Sequence, residues 1–301
     1  MAGSRGDRLG HWANAKAERE FAELDTALRT EALASLHEHG WSAVLVESEV
    51  STSYGATHVE RLPGTGVPLV FLHGAGATSL MWFPLLDHLA GRSVVLVDVV
   101  GEPGHSVQRR AIHSADDLVA WLDEVLTGLA LDRVDLLGAS YGGWIALNYA
   151  RQRPTRVRTL TMVEPVFDKV RPWFWAHGLL VLSAFAMPRS LARKTLHRLH
   201  MSADVLDDKR VRRYGALGLT KYRRGLPGVT PLTDEQLRAT EVRTLVLLGE
   251  HSEVHKADAV AARARTTMPN VDAQVVSDAG HALSLDKPDD VAARLLAFLD
   301  T

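Results

Sequence analysis

The 301-residue chain contains no cysteine. That excludes disulfides, thiolate metal sites and cysteine nucleophiles, and gives no sign of an oxidising compartment. Charge of one sign is also missing: 34 Lys and Arg stand against 36 Asp and Glu, a formal net charge of -2. Nothing global therefore draws the chain toward nucleic acid or an anionic membrane surface. No run reaches the roughly 18 apolar residues that span a bilayer; the longest apolar stretch, residues 178–187, is too short. The opening MAGSRGDRLGHWANAKAERE has no apolar segment of the secretory type. There is no internal repeat and no low-complexity segment. These absences lead to the expectation of a cytoplasmic protein. What is present is an apolar content of 46%, ordinary for a globular chain and ample for a core.

Residues 1–10 read as disordered, with Gly, Ser and charge but no period. From 14 to 39 the spacing of Phe21, Leu24, Leu28, Ala32 and Leu36 predicts a helix. It is expected to pack across a sheet or on a partner chain, which makes a homodimer possible. Residues 41–50 and 57–62 suggest an opening antiparallel pair. Then a rhythm begins. Strands are predicted at 67–72, 93–100, 134–137 and 157–163, with helices at 80–90, 115–129 and 143–152; Ser114 is the expected N-cap of the second. The rhythm resumes with a strand at 242–248, a helix at 257–267, a strand at 273–276 and a helix at 288–299. Val/Leu runs alternating with helices mean a mostly parallel sheet covered on both faces.

The interruption, 165–231, follows the sixth strand and reads as a helical cap. Its aromatic residues Trp173, Trp175 and Phe185 are candidates for an apolar substrate pocket. Between 165 and 230 it carries thirteen Lys and Arg against four Asp. A solvated outer face explains that bias, and attraction of an acidic ligand or partner is the sharper alternative. It lacks a recognisable nucleic-acid-binding motif.

The chemistry centres on Gly138-Ala139-Ser140-Tyr141-Gly142, between the 134–137 strand and the following helix. A serine between small residues at a strand-to-helix turn is a nucleophile elbow. Its hydroxyl needs a base, and the base needs a third group to fix its tautomer. His281, in Ser277-Asp278-Ala279-Gly280-His281 after the last strand, is the candidate base among 14 histidines. The loop His73-Gly74-Ala75-Gly76 can turn a backbone N–H toward the same place, so the N–H groups of Ala75 and Tyr141 are the candidate oxyanion hole. His73 is read as structural. His105, His177, His197 and His200 are read as surface or pocket-lining residues.

Together HGAGA, GASYGG, AGH and the strand order resemble the α/β-hydrolase fold family, over about residues 41–300. The N-terminal helix, the STSYGATHV segment and the VDVVGEPGHS loop are most similar to its bacterial carboxylesterases. The resemblance implies a Ser-acid-His triad, acyl hydrolysis of a small or medium ester, and no cofactor or metal. Haloalkane dehalogenases and epoxide hydrolases share the fold but place a carboxylate at the elbow, where this chain has Ser140.

The acid departs from the family pattern, which puts Asp or Glu three residues after the Gly ending the 242–248 strand. Counting from Gly249, that position is Ser252. The first choice is Glu253, reached by a small loop adjustment. The second is Glu164, at the end of the preceding sheet strand, where the dehalogenases carry a carboxylate. If neither served, the reading would be a non-hydrolytic relative: a ligand-binding protein, or a cyclase or lyase.

Overall fold

The computed structural model describes residues 9–38, 41, 45–168, 190–191 and 208–301. Among them the chain runs β1 (His11–Trp12), α1 (Ala15–Glu38), β2 (Val46–Thr52), β3 (Gly55–Leu62) and β4 (Thr65–Leu72). A short 3-10 turn (Ser79–Trp82) and α2 (Phe83–Leu86) lead to β5 (Arg92–Val97), β6 (Val107–Gln108), α3 (Ala115–Gly128), β7 (Val134–Ala139), α4 (Tyr141–Gln152) and β8 (Val157–Val163). Within the 165–231 interruption the described elements include α5 (Lys209–Lys221) and β9 (Tyr222–Arg223), and after it come α6 (Asp234–Arg238) and β10 (Arg243–Gly249). The chain finishes with α7 (Ala257–Thr267), β11 (Val271–Val276), α8 (Leu283–Asp286) and α9 (Pro288–Leu299).

The main sheet has the order β11-β10-β8-β7-β4-β5-β3-β2, with β6 added to β3. Strands β2 and β3 pair antiparallel, as does β3 with β5; from β5 through β11 every pairing is parallel. Both faces are covered, as a parallel sheet requires. On β7, Val134 and Leu136 join one apolar cluster, while Leu137 and Ala139 join the other. Asp135 lies between them on the same strand and is ion-paired to Arg158 of β8. Trp121 and Trp144 fill the first cluster and Trp82 and Phe71 the second, all essentially without solvent exposure. Full burial of one such large apolar side chain favours folding by about 1.5–3 kcal/mol.

Capping places α3 where expected: Ser114 accepts from Asp117 N–H while the Asp117 carboxylate accepts from Ser114 N–H, a reciprocal box. The helix expected at 80–90 is shorter. Thr78 caps the 3-10 turn, and Pro84, lacking an N–H, can only occupy the first turn of a four-residue α2. The two-residue β1, just past the 1–10 segment and not expected from the sequence as a strand, pairs antiparallel with β9. The tail before residue 9, the cap residues Trp173, Trp175 and Phe185, and His177, His197 and His200 lie outside the described residues.

α1 packs on α5 of its own chain. Phe21 stacks on Tyr214 at 4.3 Å between ring centroids, with Trp12 4.5 Å from Phe21. On the same helix Arg29 enters a buried polar cluster. It binds Asp25 at 2.7 Å and Ser79 Oγ at 3.2 Å, and it pairs with Glu60. Asp25 also accepts from Tyr214 OH at 2.5 Å and meets His105 Nε2 at 2.9 Å; Asp98 accepts Ser79 N–H at 2.9 Å. His105 is thus a partner of this cluster, and it does not line the cavity described below. Burial works to raise the Asp25 and Asp98 carboxyls, but His105 and Arg29 at Asp25, and Arg29 with the N–H groups of His105 and Ser79 at Asp98, hold both below the usual range. The Asp25 contact raises His105 above its ordinary value.

Candidate active site

The sharp turn after β7 leaves Ser140 at φ 50° and ψ -113°, left-handed backbone that a side chain adopts only under constraint. The constraint is local. A Cβ at Gly138 would meet the Gly142 carbonyl at 2.3 Å, and one at Gly142 would meet the Leu72 carbonyl at 2.2 Å, so only glycine fits at either position. Lateral bonds hold the turn to the next strand: Ser140 N–H donates to Val163 O at 3.0 Å. The serine stands at the carboxyl edge of the sheet, where ligands of such sheets bind.

His281 reaches this edge from the loop after β11. Its Nε2 lies 3.1 Å from Ser140 Oγ and its Nδ1 lies 2.9 Å from Glu164 Oε2. The first-choice acid is not the group that meets the ring. Glu164, at the end of β8, occupies that place, and the physical reason is the strand register. Val163 pairs with Leu247 in parallel β8 and β10, so residue 164 leaves the sheet beside Gly249. A glutamate there reaches the ring directly, from φ 51° and with its own N–H bonded to Leu247 O at 2.8 Å. Glu253 sits one residue past a turn in which Ser252 N–H bonds Gly249 O at 3.0 Å. Its Oε1 is buried without a hydrogen-bond partner, and burial raises its carboxyl, which disfavours the anion an orienting acid must carry.

Glu164 is kept ionised. Burial alone would raise its carboxyl, but the imidazoles of His255 and His281 oppose this and hold it at about 2. Its Oε1 accepts Gly249 N–H at 2.5 Å; its Oε2 also accepts Ser252 Oγ at 2.6 Å, and His255 Nε2 stands 3.6 Å away. Ser252 and His255 were not singled out from the sequence as members of the site. The signal that could have found Ser252 is its place at the family's acid position.

The other candidates fall as follows. Gly74 carries no side chain against Ser140: a Cβ there would stand 3.4 Å from the serine Cβ. Ala75, next along, lines a cavity of about 540 Å³. α4 begins at Tyr141, whose backbone N–H belongs to the unpaired first turn of that helix. The Tyr141 ring is buried, its hydroxyl donating to Pro227 O at 2.9 Å and Arg224 lying 4.5 Å over its face. His73 is structural: Val99 N–H donates to its Nε2 at 2.9 Å, which leaves Nδ1 to donate to Gly74 O at 2.9 Å. The cavity wall is largely apolar, drawn from Leu28 and Ala32 of α1, Leu80 and Met81, Leu219 of α5, and Ala282 beside the base. Among the described residues no helix is long and apolar enough to cross a membrane.

The sequence model of the alpha/beta hydrolase family matches residues 69–294. The chain belongs to that family. An uncharacterised carboxylesterase, nap, of Bacillus subtilis is 29% identical over 262 residues, covering 83% of this chain and 85% of its own. The carboxylesterase YbfK of the same organism is 28% identical over 297 residues, covering 93% and 96%. The crystal structure of naproxen esterase from Bacillus subtilis superposes with a TM-score of 0.81 at 26% identity, covering 95% of this chain and 99% of that one.

Proposed function

We propose that this protein is a serine carboxylesterase in which Ser140, His281 and Glu164 form the triad. The observation that carries the reading is the unbroken hydrogen-bonded chain from Ser140 Oγ through His281 to Glu164 at a strained elbow. With Nδ1–H donated to an anionic carboxylate, Nε2 is left as the acceptor the serine needs. Ser140 Oγ attacks the ester carbonyl while its proton passes to Nε2. The developing oxyanion is held by the N–H groups of Ala75 and Tyr141. Collapse expels the alcohol, which takes the proton from His281, and water then repeats the sequence on the acyl-enzyme. The similarity to carboxylesterases over nearly the whole chain supports ester hydrolysis. The apolar cavity beside Ala75 and Ala282 supports a small-molecule ester with an uncharged apolar arm.

The non-hydrolytic reading loses its motive, because a carboxylate does stand at His281. Dimerisation through α1 also gains no support from the fold, since the aromatic face of that helix is spent on α5. The test is intact-mass labelling with a fluorophosphonate, followed by turnover of a short-chain aryl ester. One adduct on the wild type, none on Ser140→Ala, and turnover lost only in the variant is the expected result. A folded wild type that neither labels nor turns over would overturn the reading.

A further inference from the structure

The two oxyanion donors are backbone N–H groups, those of Ala75 and Tyr141. Such donors stabilise a developing charge only if they are aimed before it forms. Ala75 sits in Gly74-Ala75-Gly76-Ala77, where no side chain is larger than a methyl. Its aim therefore has to come from hydrogen bonds of the loop backbone. On one side, Gly74 O accepts His73 Nδ1–H at 2.9 Å and Ala77 N–H at 3.3 Å. On the other, Gly76, at φ 72°, donates its N–H to Glu102 Oε2 at 3.0 Å.

Glu102 lies in the loop after β5 and is 1% exposed. A carboxylate so buried needs a counter-charge. Arg224, the residue after β9, supplies it through Nε and Nη2, both on Oε1. The same guanidinium lies 4.5 Å over the ring of Tyr141, whose hydroxyl is held by Pro227 O three residues further along. Gly225 N–H donates to Gly101 O at 3.2 Å, which ties the two loops together beside the ion pair. One ion pair thus reaches both halves of the oxyanion hole: Gly76 beside Ala75, and Tyr141 itself. We propose that Glu102 and Arg224 are positioning residues that hold the two oxyanion donors at their angle, Glu102 through the Gly76 peptide and Arg224 through the Tyr141 ring. The proposal rests on the serine carboxylesterase reading above. No proton or bond of the reaction passes through either residue; their effect is on the stability of the tetrahedral state alone.

The experiment compares Glu102→Ala, Glu102→Gln, Arg224→Met and the double variant Glu102→Ala/Arg224→Met, each checked for a cooperative thermal transition. Two readouts are taken: kcat and KM for a short-chain aryl ester, and Ki for an aryl trifluoromethyl ketone. The ketone carbon accepts Ser140 Oγ, its π pair moves onto oxygen and the serine proton goes to His281, so the adduct carries the oxyanion without a leaving group. Removal of one oxyanion donor costs about 10²–10³ in kcat; a donor that stays but loses its aim costs part of that. Glu102→Ala is expected to lower kcat about 10–100-fold with KM within about twofold, and to raise Ki by the same factor. Arg224→Met falls about tenfold. Glu102→Gln, which keeps an acceptor for Gly76 N–H, lies between Glu102→Ala and the wild type, and the double variant is no slower than about the worse single one, because both act through one pair. Folded Glu102→Ala and Arg224→Met enzymes with wild-type kcat and wild-type Ki overturn the proposal, as does a rise in KM alone. A role in stability only would lower the melting temperature and leave Ki unchanged, which also overturns it. Should Glu102→Ala not fold, Arg224→Met and Glu102→Gln decide, since the Arg224 side chain is 34% exposed and tolerates replacement. A Ser140→Ala enzyme at the wild-type rate would instead remove the esterase reading, which separates the two failures.

Discussion

Two glutamates close together in the active-site region differ in environment more than in distance. Glu164 has two donors from the β10 loop and the base's ring N–H on its oxygens, and it is anionic; Glu253 has a buried oxygen without a partner, and burial pushes its carboxyl toward the neutral form. The kinetic consequence is asymmetric. Glu164→Gln keeps the shape but removes the charge that fixes the base's tautomer, and kcat for an aryl ester should fall about 10⁴-fold. Glu253→Gln should keep the wild-type kcat, because no step passes through it; steady-state kinetics on both purified variants checks the pair. The sequence led to Ser140 and His281 because their motifs are local: a run of small residues for one, a strand-loop-His segment for the other. It put Glu253 ahead of Glu164, the carboxylate that lies against His281 Nδ1, because proximity along the chain to the family's position said nothing of the β8–β10 register, and that register is what brings residue 164 to Gly249.

Elements were legible to the extent that their signals lay within them. The boundaries of α7 and α9 agree with the apolar spacing, and the box at Ser114 starts α3. What the spacing of α1 could not show is its partner. An apolar stripe says that a face is covered; it does not say that α5 covers it, nor that Arg29 on the same helix enters a buried cluster with Asp25 and Glu60. That cluster makes α1 part of the folded core. Arg29→Met leaves buried carboxylates without their counter-charge, and the expected loss is about 3–5 kcal/mol. Denaturant unfolding read by circular dichroism measures it. A loss under 1 kcal/mol would mean that α1 is only laid on the surface.

At the scale of the molecule, buried carboxyls and the more exposed His105 set opposite limits on pH. Glu164, Asp25 and Asp98 all have depressed carboxyls. Their contribution is present above the unfolded values of 4.5 for Glu and 3.8 for Asp, and it is lost as pH falls through the folded ones, about 2 for Glu164. His105 is raised above 6.5, so its contribution is complete below 6.5 and lost as pH rises through the folded value. The expectation is a melting temperature highest between about pH 4.5 and 6.5 and falling on both sides. Calorimetry from pH 3 to pH 9 checks it. His105→Asn should flatten the alkaline side alone, and an unchanged alkaline limb in that variant would remove His105 as its cause.

The place of Arg29 bears on how far this chain can be cut down. The family match begins at residue 69, downstream of α1 and of Glu60. A fragment trimmed to that match would keep Ser140, Glu164 and His281, and it would also keep Asp98 and Ser79 with no guanidinium beside them. It would lack β2, β3 and the cavity wall supplied by Leu28 and Ala32. The stretch that matches the family model is therefore shorter than the packed unit, and a trimmed version that keeps the Arg29 cluster has to retain α1.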